Sequence, residues 1–300
     1  MNYQIVSKAK YLYIIGNGFD LHHGINSSYL NFRKWLHDNA WETFMQIEEI
    51  YGECDSEWWS DFESRLGSLD VMQYSTQVAS QNSPDLLSEH CDRTWSDAQL
   101  AVEKALQSVY LNLRYCFYNW IKQLNLPQKS RMIDLKATSI YLNFNYTKTL
   151  ETIYRIKSDF ILYIHGCVDG GEFVLGHGNS YEKIKQNNQL FGLEFYEQLA
   201  LEEAISAVAA QAKPVKEIIQ ANQIFFKSLQ DIKTVHVYGL SLSDVDLPYL
   251  NLIARNTFNV KWEFSDFQNR NYSKIEKFVL LNGIINYNII QLEDVMNIGN

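Results

Sequence analysis

The chain has four cysteines, Cys54, Cys91, Cys116 and Cys167, and no two of them form a C-x-x-C pair. That scatter argues against a zinc module or a disulfide framework and fits a reducing cytosol. Any long run of lysine and arginine is also missing, and the net charge is -9. The basic footprint of non-specific nucleic-acid binding is therefore absent, and nucleic acid is disfavoured as a partner. No uninterrupted apolar stretch approaches membrane-spanning length. Lys8 and Lys10 precede an apolar run of only five residues, which Gly16 and Asp20 interrupt. This reads as a buried strand rather than a secretion-signal core. The expectation is a soluble, cytoplasmic protein with no membrane partner. Internal repeats and low-complexity segments are lacking as well.

Several catalytic signatures are missing too. There is no H-E-x-x-H, no carboxylate-rich metal motif and no Walker lysine, so no metal is expected. Gly239-Leu-Ser241-Leu-Ser243 resembles a nucleophile elbow superficially, but Ser243 replaces its final glycine. Leu21 stands where the dinucleotide fingerprint G-x-G-x-x-G needs its third glycine. No acid clearly ends the next strand either, which disfavours a hydride-transferring dehydrogenase of the usual type.

What is present is an ordinary globular balance, 46% hydrophobic and 20% charged, in 300 residues. That length suits one large α/β domain or a core carrying a sizeable insertion. Aromatics are abundant, with 19 Tyr, 16 Phe and 7 Trp, and they are read as ring-packed core rather than a base-stacking platform. Trp58, Trp59 and Phe62 fall in that class. Short apolar, β-rich runs occur at 11–15, 138–144, 160–164, 172–175, 234–238, 260–264 and 287–290. Helical periodicity fills much of the rest, with a long stripe from Val102 to Leu124 and a second helical segment at 184–230. Residues 72–92 lose periodicity and read as a surface loop. A polar loop is expected from Leu21 to Tyr29, with a helix running on to Leu36. Strands alternating with helices predict a single Rossmann-like α/β domain over 1–300, mostly parallel, with a helical insertion at about 41–130.

Open α/β sheets bind ligands beyond the carboxyl ends of their strands. Five strand ends here carry Gly, Asn, His, Ser or Asp. They are Gly16-Asn17-Gly18-Phe19-Asp20, Asn143 to Glu151, His165-Gly166, Gly176-His177-Gly178-Asn179, and Gly239-Leu-Ser241-Leu-Ser243-Asp244-Val-Asp246. A buried strand feeding a tight glycine turn brings backbone N–H groups close to a nucleotide diphosphate; the same turn can also be purely structural. His165 reads as scaffolding or as a cleft-facing imidazole. Asn145 reads as a local cap or as an amide holding a ribose hydroxyl or a water. Ser243 and Asp244 also suit an N-cap cluster, whereas Gly239 and Ser241 look like ligand-facing turn residues. His177 is a secondary candidate, and His22 and His23 read as solvent-exposed loop residues.

The ordered set Ile14-Ile-Gly-Asn-Gly-Phe-Asp-Leu21, Trp59-Ser-Asp-Phe-Glu63, Leu142-Asn-Phe-Asn-Tyr-Thr147, Ile164-His-Gly166 and Tyr238-Gly-Leu-Ser-Leu-Ser-Asp244 resembles the bacterial AbiH family across nearly the whole chain. The resemblance implies abortive infection, in which a host protein limits phage propagation. A more distant similarity links Gly16-Asn-Gly18, His23-Gly-Ile25 with Asn31-Phe-Arg33, Asn145, His165-Gly166 and Gly239-Leu-Ser241 to sirtuin-like domains. That similarity implies NAD+ as substrate or ligand, with Asn145 and His165 as the catalytic pair. Gly16, Asn17, Gly18, Phe19, Asp20, Gly239, Ser241 and Asp244 would form the nucleotide-binding set. The proline of the sirtuin loop and the paired zinc cysteines are missing, so water becomes the acceptor and NAD+ hydrolysis the implied reaction. Two alternatives stand beside it. One is a nucleotide sensor that signals to a phage-sensing or identical partner. The other is a metal-dependent nuclease or nucleotide hydrolase using Asp20, Asp244 and Asp246.

Overall fold

Short apolar runs followed by polar turns build the central sheet. In the computed structural model, which describes residues 6–84, 94–127, 132–188 and 192–295, six runs become strands. These are β1 (Tyr11–Ile15), β2 (Ser139–Asn143), β3 (Ile161–Tyr163), β4 (Thr234–Tyr238), β5 (Lys261–Ser265) and β6 (Tyr287–Ile290). All five pairings are parallel, in the order β3-β2-β1-β4-β5-β6. This is an α/β architecture compatible with a Rossmann-like fold. Its strand order reverses between β1 and β4, which is where doubly wound sheets open a crevice. The expected strand at 172–175 does not join the sheet. Phe173 makes only an isolated antiparallel bridge to Gly166, and the Val174 N–H donates to the His165 carbonyl at 2.8 Å.

By compactness the chain forms two units. One comprises Met1–Ser28, Ile121–Val174 and Pro214–Asn300; the other comprises Tyr29–Trp120 and Leu175–Lys213. The first holds the sheet. One sheet face presents Leu12, Ile14, Ile140, Leu142, Val235, Val237, Trp262 and Phe264. Tyr249, Leu250 and Ile253 of helix Leu247–Asn256 and Ile275, Phe278 and Val279 of helix Tyr272–Leu281 pack against them.

The opposite face is more polar. Strand register aligns Tyr141, Tyr13, His236, Glu263 and Asn288 in one row across β2, β1, β4, β5 and β6. Tyr13 stacks on His236, with ring centroids 4.3 Å apart, and on Tyr141 at 5.5 Å. Glu263 accepts from His236 Nδ1 at 2.8 Å, from the Tyr238 hydroxyl at 2.6 Å and from Asn288 Nδ2 at 3.1 Å. The hydrogen bond from His236 leads in holding the Glu263 carboxyl down at about 2, against the opposing effect of burial.

The second unit is helical. Phe32, Trp59, Phe62, Phe117 and Trp120 interlock as a ring cluster, with Trp59 and Phe62 stacked at 5.3 Å. Buried Lys213 forms an ion pair with partly buried Glu63 at 2.5 Å, and the Tyr29 hydroxyl donates to the second Glu63 oxygen at 2.8 Å. Where a loop is expected, residues Val71–Gln81 form a helix packed on Phe195–Ala209. Asp70 caps it by accepting from the Gln73 N–H. Its buried face is Val71, Ser75 and Ala79, at four-residue spacing but with little apolar bulk, so the periodicity is faint. Residues 85–92 of the same expected loop lie outside the described residues. Among the described residues, no helix is long and apolar enough to cross a membrane.

Candidate functional site

The sheet unit brings the β1 and β4 ends together by backbone contact. β1 passes straight into a short helix, Asn17–His22, where a polar loop is expected from Leu21 onwards. The Gly16 N–H donates to the Tyr238 carbonyl at 2.9 Å, and the Gly18 N–H donates to the Gly239 carbonyl at 2.7 Å. A Cβ on Gly16 would lie 2.6 Å from the Gly239 oxygen, and one on Gly18 would lie 2.8 Å from the Gly239 Cα. Gly239, at φ +70°, would place a Cβ 2.0 Å from the Phe19 nitrogen. All three glycines are thus required by the approach of one turn to the other. The space that side chains would fill there holds protein backbone.

The neighbouring residues of this turn are engaged as well. Asn17 Oδ1 accepts from the Ser27 hydroxyl at 2.6 Å, and its Nδ2 donates to the Ser27 carbonyl at 3.0 Å. Phe19 is buried against His23 and Tyr154. Asp20 is buried and accepts from the hydroxyls of Thr147 and Thr149, which follow β2. Burial pushes its carboxyl up to about 6, with the hydrogen bonds from Thr147, Thr149 and Asn145 pulling the other way.

Asn145 and His165 follow the adjacent strands β2 and β3. Asn145 donates its Nδ2 to the Gly16 carbonyl at 3.0 Å and its backbone N–H to Asn143 Oδ1 at 2.9 Å. The His165 imidazole sits edge-on to Phe144, with centroids 5.3 Å apart, and to Tyr249 at 5.7 Å. Both side chains are covered, with Asn145 6% and His165 1% exposed. After β4, Ser241 and Asp244 are exposed. The Lys274 ammonium donates to the Ser241 carbonyl at 3.3 Å, and Ser243 donates to Asp246 at 2.8 Å. Ser243 thus bonds the residue that precedes helix Leu247–Asn256, while the cap position itself falls on Asp246.

The AbiH family model, described as bacteriophage abortive infection AbiH, matches residues 12–266. The chain belongs to the AbiH family. The match runs from β1 to the residue that follows β5, so it takes in each strand end described above. Membership gives the chain an anti-phage, abortive-infection role. No curated protein and no solved structure matches it.

Within this AbiH chain, three histidines are explained by packing. His23 is buried where an exposed loop residue is expected. Its Nδ1–H donates to the Phe19 carbonyl at 2.7 Å and its Nε2 accepts from the Tyr154 hydroxyl at 2.6 Å, while burial pulls its pKa down to about 4. The His22 side chain is likewise covered, 3.4 Å from Glu293. His177 is buried, with Nε2–H donating to the Val208 carbonyl at 2.9 Å and Nδ1 accepting from the Asn179 N–H at 3.0 Å. The metal-dependent alternative needs Asp20, Asp244 and Asp246 to converge. Among the described residues no group of three or more His, Cys, Asp and Glu side chains could hold a metal ion.

Two polar residues of the AbiH strand-end region escape the sequence reading. Asp266 follows β5 and is fully buried; one oxygen accepts from the Asn271 N–H at 2.8 Å, and the other has no hydrogen-bond partner among the described residues. The strand-end rule applied to 260–264 would have found it. Tyr249 is the second. Its ring is buried against His165, Phe144 and Phe226, and its hydroxyl has no hydrogen-bond partner among the described residues. Burial first, and then the Asp246 carboxylate, push that hydroxyl's pKa up. In the sequence Tyr249 is simply one of the apolar positions of a helix, with Leu250 and Ile253.

Proposed function

We propose that this AbiH protein acts in phage defence by hydrolysing the nicotinamide–ribose bond of NAD+. The observation that carries the reading is that Asn145 and His165 follow the adjacent strands β2 and β3 of a parallel sheet, with the Asn145 amide bonded to the Gly16 carbonyl at the β1 side of the reversal point. The order of motifs shared with sirtuin-like domains supports the choice of NAD+. So do the Tyr249 hydroxyl and the second Asp266 oxygen, buried polar atoms at the strand-end side with no hydrogen-bond partner among the described residues. The glycine turn supports it less than its sequence suggests, because the three glycines serve contact between turns.

In the reaction the bond from ribose C1′ to the nicotinamide nitrogen breaks, and its electron pair neutralises the pyridinium. Nicotinamide leaves uncharged, so no general acid is needed. The transition state is oxocarbenium-like, as in glycoside hydrolysis. Water oxygen bonds to C1′, and its proton passes to the His165 imidazole and on to solvent. Asn145 orients the ribose or the water through its amide. The products are nicotinamide, ADP-ribose and one proton.

The near-complete cover over Asn145 and His165 favours a second reading, a sensor that binds NAD+ or ADP-ribose without turnover and signals to a partner. Purified protein incubated with NAD+ separates the two. Hydrolysis predicts nicotinamide release that is lost in Asn145→Ala and in His165→Ala. The sensor predicts binding with no product, in extracts of phage-infected cells as well. Turnover that survives both substitutions would remove the pair from the chemistry.

A further inference from the structure

We propose that Tyr249 is a ligand-contacting residue of the strand-end site, and that its hydroxyl hydrogen-bonds the ribose on the nicotinamide side of the bound nucleotide. The inference rests on the nucleotide reading above and adds a residue to it. Phenylalanine would keep every ring contact that Tyr249 makes with Phe144, His165 and Phe226. The tyrosine adds only an oxygen, which is buried and has no partner among the described residues. An unsatisfied buried hydroxyl is a net cost in the folded chain, unlike most buried polar groups, which are paired. Its position beside His165, the imidazole assigned to the reacting ribose, gives that oxygen a use.

The surroundings also select what the hydroxyl meets. Asp246 lies just before this helix, is largely buried and bonds Ser243. Its carbonyl accepts from the Tyr249 N–H at 3.1 Å, so the Asp246 carboxylate lies within one helical turn of this tyrosine, and after the larger effect of burial it raises the hydroxyl's pKa. A phosphate brought there would face like charge, whereas a neutral ribose hydroxyl would not. Tyr249 therefore reads the sugar, not the diphosphate.

The test compares wild type with Tyr249→Phe by calorimetry, using ADP-ribose and ADP as probes, because only the first carries the second ribose. The expected result is ADP-ribose affinity weakened about 3- to 10-fold, the size of one neutral hydrogen bond. ADP affinity should be unchanged and the melting temperature equal or higher. If wild type binds ADP-ribose and Tyr249→Phe binds it equally well, the role of Tyr249 is overturned while the nucleotide reading stands. Equal weakening toward both probes also overturns it, as does a fall in melting temperature of several degrees, which would show an internal partner. If wild type binds neither probe, the nucleotide reading fails and takes this inference with it.

Discussion

Replacing Gly239 by alanine should separate the ends of β1 and β4. At φ +70° a residue with a Cβ costs about 1–2 kcal/mol in the left-handed region. The added carbon would also lie 2.0 Å from the Phe19 nitrogen and 2.5 Å from the Gly18 carbonyl carbon, where ordinary contact begins near 3.4 Å. The two turns must move apart by more than an ångström, which threatens the hydrogen bonds from Gly18 to Gly239 and from Gly16 to Tyr238. At about 0.5–1.5 kcal/mol for each bond, the total loss is about 2–5 kcal/mol. Gly24 supplies the control. It has φ +75° but nothing within 4 Å of a built Cβ, so Gly24→Ala should cost only the backbone part, about 1–2 kcal/mol. Urea unfolding of both variants, followed by circular dichroism with fixed slopes, gives the two values. If Gly239→Ala proves no more destabilising than Gly24→Ala, the turn-on-turn account of these glycines is wrong.

Lys213→Met removes the ammonium from the partly buried Glu63 carboxylate, which keeps the Tyr29 hydroxyl, and should destabilise the chain by up to about 3 kcal/mol in the same unfolding assay. Glu263, held down to about 2, contributes stability that is present above the ordinary glutamate value of 4.5 and is lost as pH falls toward 2; Glu263→Gln should flatten that part of a stability–pH curve. Asp20 has the opposite sign. Its carboxyl is raised from 3.8 to about 6, so its contribution is complete below 3.8 and is lost as pH rises through 6, and Asp20→Asn should remove this decline. His23, pulled down from 6.5 to about 4, contributes stability that is present above 6.5 and lost as pH falls toward 4; His23→Gln should weaken this acid sensitivity.

The sheet was legible because parallel strands buried on both faces read as short apolar runs that end in polar turns. Tyr11–Ile15, Thr234–Tyr238 and Tyr287–Ile290 match their expected bounds, and β2, β3 and β5 lie within a residue or two of theirs. Residues 172–175 carry the same apolar texture, but the chain doubles back after Gly166, and a bridge is all that forms. The helix at Val71–Gln81 hid because Ser75 and Ala79 supply shape rather than hydrophobicity to its packed face. The strand ends stood out as a set, yet their roles did not. A glycine in sequence shows that space is needed, not whether a phosphate or a second turn takes it. Gly16, Gly18 and Gly239 are of the second kind. His22 and His23 looked exposed because the loop reading missed the helix that carries His22 and ends at His23. Tyr249 was hidden for another reason: its ring fits an apolar stripe, and only the fold shows that its hydroxyl has no hydrogen-bond partner among the described residues.

The central claim, that a nucleotide binds at the strand ends beside Asn145 and His165, is tested most directly by a crystal structure of the protein with ADP-ribose. The account predicts electron density for the terminal ribose against Asn145, His165 and Tyr249, with the covered side chains displaced to admit it. Ordered ADP-ribose at any other place on the chain, with these three residues still covered, would contradict it.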